Sequence, residues 1–168
     1  LRRALGIERP VLIGHSTGAS MALLHAADGR WPGAGVVAMA PLVYVEPSNL
    51  ESIARARRAW EAGDWPRRLA RHHDDADAVF RAWNDTWLDP AFRDWSIGAD
   101  LGGLRAPVLA ILGADDEYSS RAQLAALRAA AAGAARFESL ELDKCGHAPH
   151  RDQPDRVIAA VKALLDAV

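Results

Sequence analysis

Cysteine occurs once in this 168-residue chain, at position 145, and lysine only twice, at 144 and 162. A single thiol excludes an internal disulfide and any cysteine-rich zinc site. The scarcity of lysine leaves arginine to carry almost all positive charge. With 20 basic against 22 acidic residues the formal charge is -2, and the arginines are scattered among acids, so the sequence has no basic footprint for nucleic acid. No apolar run approaches the roughly 18 residues of a membrane span, and the first residues lack a signal peptide's hydrophobic core. The expectation is therefore a cytoplasmic protein with no membrane partner. Internal repeats and low-complexity linkers are also missing. What is present is 50% apolar and 25% charged residues, enough to bury about two-thirds of the unfolded surface in one globular domain.

Short apolar segments alternate with helical ones. Residues 1–7 read as the end of an amphipathic helix, stopped near Gly6 and closed by Pro10. Val11-Leu12-Ile13 suits a strand buried on both faces, followed by a helix from Ala19 to Ala27. Residues 35–40 and 107–112 repeat the buried-strand pattern, and 136–142 is an alternating strand. Residues 121–132 form an alanine-rich helix with Ser119 or Ser120 as N-cap. Residues 154–167 form a last helix, with Pro154 near its start and Val157, Ile158, Val161, Leu164 and Leu165 at helical spacing. Such alternation predicts an α/β fold with a parallel sheet. The 46–105 stretch exceeds the usual connection of about five residues. It carries its own helical signals: Ser48-Asn49-Leu50-Glu51 as a capping box, Pro66 starting a second helix, and Val79, Phe80, Trp83 and Trp87 at helical spacing. Five of the six tryptophans lie in it. The expected division is a core of residues 1–45 and 106–168 with a helical insertion at 46–105.

Gly14-His15-Ser16-Thr17-Gly18 is a G-x-S-x-G pentapeptide between a buried strand and a helix. Chance gives such a match in roughly one sequence in twenty of this composition, so the flanking strand and helix carry the argument. In this motif the serine sits on a tight turn that strains its backbone by about 1–3 kcal/mol, and the glycines avoid collisions between strand and helix. The hydroxyl is exposed at a helix N-terminus, and the Thr17 N–H points to where an oxyanion would develop. A nucleophilic serine needs a base, and the base needs an orienting group. His147 follows the fourth strand, and Asp115 and Asp116 follow the third. All three lie beyond strand C-termini, which share one edge of a parallel sheet. The chain order is Ser16, Asp115 or Asp116, His147.

With these segments in register, the chain resembles the α/β-hydrolase family from Leu1 to Val168. The resemblance implies Ser16 as nucleophile, Asp116, third after Gly113, as acid, His147 as base and the Thr17 amide as half of the oxyanion hole. It also implies that residues 46–105 form a helical cap. Residues 80–90, 115–118 and 145–150 are similar to those of a bacterial branch of capped serine hydrolases whose substrates are mostly unassigned. Two departures stand out. Ala19 replaces the family's usual glycine, and the upstream strands, one of whose loops donates the second oxyanion N–H, have no counterpart here. The expectation is that the chain is the C-terminal part of a larger domain, with the Val11 strand at a sheet edge.

Other residues read more plainly. His15 is a packing or pocket-wall residue, and His72-His73-Asp74-Asp75 a solvated turn. His147 and His150 are too few ligands for zinc, and Cys145 is a small buried hydrophobe. The tryptophans are core first, with some lining substrate space, which favours an apolar or aromatic acyl substrate. The expected function is hydrolysis of a small ester or related carbonyl compound through an acyl-enzyme, with no metal or organic cofactor. Carbon-carbon hydrolysis of ring-cleavage diketones and acyl transfer are alternatives on the same triad. The competing reading is a catalytically incomplete fragment or binding module.

Overall fold

In the computed structural model, which describes residues 3–30 and 33–168, four strands form one parallel sheet in the order β1-β2-β3-β4. They are β1 (Val11–His15), β2 (Gly35–Met39), β3 (Val108–Gly113) and β4 (Phe137–Leu142). Every residue of β2 and β3 is buried, whereas β4 alternates and β1 leaves Ile13 55% exposed. Inner strands of a parallel sheet are covered on both faces, which is why their sequences are continuously apolar. Leu1 and Arg2, part of the helix expected at 1–7, lie outside the described residues; Arg3–Leu5 is a 3-10 turn ended by Gly6 at φ 64°.

Seven α-helices are described: α1 (Thr17–Ala27), α2 (Pro47–Ala62), α3 (Trp65–Leu69), α4 (Ala76–Leu88), α5 (Arg121–Ala130), α6 (Pro149–Asp152) and α7 (Pro154–Leu165). Two compact units result, residues 1–44 with 96–168, and residues 45–95. In the first, Val37, Met39, Leu109 and Ile111 on one sheet face pack with Leu142, Cys145 and, from α7, Val157 and Leu164. The alternate strand residues Val36, Ala38, Val108, Ala110 and Leu112 are equally buried; α1, α5 and a 3-10 turn at Gly98–Gly103 supply the second layer. Leu101 and Leu104 are fully buried there. Residues 96–105 therefore group with the sheet, although the length argument placed them in the insertion. A single 3-10 turn has too few residues to show a period, so sequence pattern could not assign it.

Buried side chains brace the loop that leaves β2. Ser20 Oγ donates to the Leu42 carbonyl at 2.6 Å, and Ser119 Oγ to that of Pro41 at 2.8 Å. Gln123, wholly buried, accepts from the Val43 and Tyr44 N–H groups and donates to the Tyr44 carbonyl. Unpaired, these backbone groups would each cost about 1–3 kcal/mol.

The second unit is held by rings. Trp60 of α2 stacks on Phe80 of α4 with centroids 4.1 Å apart, and Trp87 meets Phe92 and Trp95 edge-on at 5.2 and 5.5 Å. Asn84, fully buried, donates to the Ile53 carbonyl and accepts from Arg57 Nε at 2.6 Å, tying α4 to α2. The cap of α2 differs from the expected Ser48-to-Glu51 box. The helix starts two residues earlier, with Pro47 at N1, and the box is formed by Glu46 and Asn49. Proline's fixed φ and missing N–H favour that first position.

Candidate active site

Gly14, next to last in β1, lies against the first turn of α1. A Cβ at Gly14 would lie 2.2 Å from the Gly18 carbonyl oxygen, so strand and helix can approach only with glycine there. A Cβ on Gly18 would meet nothing outside its own helix. Only one of the two motif glycines is therefore required for clearance. Between them Ser16 has φ 55° and ψ -127°, a conformation that non-glycine residues rarely adopt. Its N–H donates to the Met39 carbonyl at 2.9 Å, anchoring the turn to β2.

The β3 exit depends on a similar clearance. A Cβ at Gly113 would stand 2.3 Å from the carbonyl oxygens of both Cys145 and Gly146, so only glycine lets the loop carrying His147 cross here. The Asp115 N–H then donates to the Cys145 carbonyl at 2.9 Å. The Asp115 side chain is exposed, whereas that of Asp116 is fully buried and its Oδ1 accepts from the Tyr118 and Ser119 N–H groups.

These turns bring three predicted residues into one hydrogen-bonded line. His147 Nδ1 lies 2.9 and 3.0 Å from the Asp116 carboxylate oxygens, and its Nε2 lies 3.0 Å from Ser16 Oγ. A carboxylate accepts, so Nδ1 carries the ring proton and Nε2 is left to accept from the serine hydroxyl. Thr17 is exposed at the first turn of α1, where N–H groups have no intrahelical acceptor.

Two neighbours of this line were not legible as such. His15 Nε2 donates to the main-chain carbonyl of His147 at 2.5 Å, and its ring is 4.8 Å from that of His147 and 5.0 Å from that of His150. Burial, partly opposed by that hydrogen bond, lowers its pKa below the ordinary 6.5, so its neutral form is favoured. Tyr118 packs edge-on against His147 at 4.9 Å. No sequence signal gives either contact, because both depend on loops meeting across the sheet edge. Cys145 is buried, and burial, followed by the charges of Asp152, Asp116 and Asp115, raises its thiol pKa; a protonated thiol is a poor nucleophile.

His72 and His73 are exposed after α3, and Asp75 caps α4 by accepting from the Ala78 N–H at 2.9 Å. Among the described residues no group of three or more His, Cys, Asp or Glu side chains is placed to hold a metal ion. No helix among them is long and apolar enough to cross a membrane.

Solved structures share this architecture at low identity. A membrane phospholipase A described as a bacterial virulence factor is 19% identical with a TM-score of 0.73, covering 99% of this chain and 59% of its own. For E-2-(acetamidomethylene)succinate hydrolase the values are 20%, 0.69, 98% and 69%, and for an esterase of Pyrococcus furiosus 14%, 0.68, 95% and 54%. The chain thus spans between about half and two-thirds of their lengths. No curated protein matches it in sequence. The sequence model described as "Alpha/beta hydrolase family" matches residues 1–160, and the chain belongs to that family.

Proposed function

We propose that the chain carries the catalytic triad of a serine hydrolase acting on a small ester or related carbonyl compound. The observation that supports this most is the Ser16-His147-Asp116 line, with Ser16 held at φ 55° in front of a helix. In this reading Ser16 Oγ attacks the substrate carbonyl carbon while His147 Nε2 takes the hydroxyl proton. The carbonyl π electrons move onto oxygen, and the Thr17 N–H faces that developing charge. The C–O bond to the leaving alcohol then breaks, and the alcohol takes the proton back from His147. Water, deprotonated by the same nitrogen, attacks the acyl-serine, and collapse of the second intermediate releases the acid and restores Ser16. Asp116 holds the imidazole tautomer and balances the transient imidazolium. His15 acts on the loop, since its hydrogen bond to the His147 carbonyl fixes where the base sits.

A fluorophosphonate probe tests the reading directly. The folded chain is expected to label at Ser16, and Ser16→Ala to abolish labelling; a folded chain that stays unlabelled overturns the nucleophile assignment. Turnover of aryl and short-chain acyl esters by this chain, compared with one extended upstream, then shows whether the 168 residues suffice.

A further inference from the structure

The unit at residues 45–95 has a groove of about 490 Å³ lined by Trp60, Trp65, Leu69, Phe80 and Trp83 together with Arg68, Arg71 and His72. That volume is typical of small-molecule sites, which combine an apolar lining with a few polar groups. No carboxylate lines it. Two of the unit's other arginines are held in ion pairs, whereas Arg55, Arg58, Arg67 and Arg93 make none among the described residues. Arg57 is paired with Asp85, and Arg81 with Asp77, the same carboxylate that accepts from Trp60 Nε1 at 3.3 Å. Among the described residues neither Arg68 nor Arg71 makes an ion pair. Both also line a smaller adjoining recess of about 340 Å³ with Arg67 and Asp64, so three guanidinium groups face one acid there. An apolar cleft edged by unpaired guanidinium groups complements a molecule with an apolar body and an anionic head, because guanidinium binds carboxylate and phosphate with paired N–H donors.

We infer that this groove is a binding site for a small amphiphilic anion, an aromatic ring or short acyl chain bearing a carboxylate or phosphate. The ring lies against Trp65, Trp83 and the stacked Trp60-Phe80 pair, and the head group is held by Arg68 and Arg71. The site does not involve Ser16, so its test is separate from that of the hydrolase reading.

Calorimetric titration of the full chain with 1-naphthoate, 1-naphthyl phosphate and neutral 1-naphthylmethanol tests it. At least one anion is expected to bind about tenfold more tightly than the alcohol, the size of effect from one or two charge-assisted hydrogen bonds; which anion does so names the head group. Arg68→Gln with Arg71→Gln, both on exposed positions, should erase that difference and leave the alcohol's affinity unchanged. Trp65→Ala should weaken all three ligands. If the double variant fails to fold, the salt dependence of the unaltered chain decides, since only the anions should weaken between low and high salt. Equal affinity for anions and alcohol, absence of binding, or an anion preference that survives in the folded double variant overturns the assignment.

Discussion

The two units solve the problem of burial with different residues. All the buried aromatic side chains among the described residues, Trp60, Phe80 and Trp87, belong to residues 45–95, while the sheet unit buries only aliphatic side chains, cysteine and methionine beside its polar groups. Strands about 4.8 Å apart fix every side chain by register, and short branched residues fill that lattice. Loops then cross at the sheet edge so closely that glycine is needed at 14 and 113. Three helices have no such lattice, and broad rings that interlock by stacking supply the missing area. The first solution places side-chain atoms within hydrogen-bonding distance over separations in sequence of 31 and 131 residues. The second yields an open groove lined by aromatic rings.

That contrast predicts how each unit breaks. The largest effects belong to the chemistry. On an ester that the chain hydrolyses, Ser16→Ala is expected to lower kcat by about 10⁴–10⁶-fold and Asp116→Asn by about 10⁴-fold. Asp115→Asn, an exposed neighbour, should leave kcat within about twofold, as read from steady-state kinetics. Next come the clearances. Gly14→Ala and Gly113→Ala place a methyl 2.2–2.3 Å from backbone oxygens, and each is expected to destabilise by at least about 4 kcal/mol, seen as failure to fold or a large fall in the urea midpoint. Trp60→Ala removes a stacked ring and should cost about 3–5 kcal/mol. Hydrogen exchange is expected to show that loss chiefly in the amides of α2 and α4, with the amides of β2 and β3 slowest to exchange; uniform loss across both units would argue against separate cores.

The smallest effect is a slope with pH. The unfolded chain protonates His15 near 6.5, whereas burial keeps the folded ring neutral to lower pH. Stability from this group is therefore complete above about pH 6.5 and declines as pH falls below it, because the unfolded state binds the additional proton. Groups facing the ring are His147, His150 and Asp116. Urea midpoints at pH 7.5 and 5.5 should differ less in His15→Phe than in the unaltered chain. Loss of the His147 carbonyl tie should also lower kcat in that variant, with recovery in His15→Gln, whose amide N–H can donate to the same oxygen.

Much of the sheet was readable because its signals are local. Continuously apolar β2 and β3 declare a parallel sheet, and the G-x-S-x-G turn declares a strained serine between strand and helix. A helix start was readable where a side chain caps locally, as does Ser120, one of the two serines offered for α5, whereas Asp75, read as a turn residue, turned out to cap α4. Signals that depend on fit were not. Residues 96–105 grouped with the sheet because Leu101 and Leu104 find cover there, and nothing in their order says so. Glu46 could displace Ser48 as cap because the position of Pro47 decided the first turn.

By itself the sequence determined the class of fold, the order of its elements and the residue types available for chemistry, since these follow from period, steric rules and composition. Only the tertiary structure set the surroundings of Asp115 and Asp116 apart. Backbone curvature after Gly113 buries one carboxylate against the Tyr118 and Ser119 amides and leaves the other in water. It likewise tied His15 to the His147 carbonyl and, among the described residues, left Arg68 and Arg71 without ion pairs beside a cleft of aromatic rings. These are relations between residues distant in sequence or set by packing, and only packing fixes the distances over which hydrogen bonds and charges act.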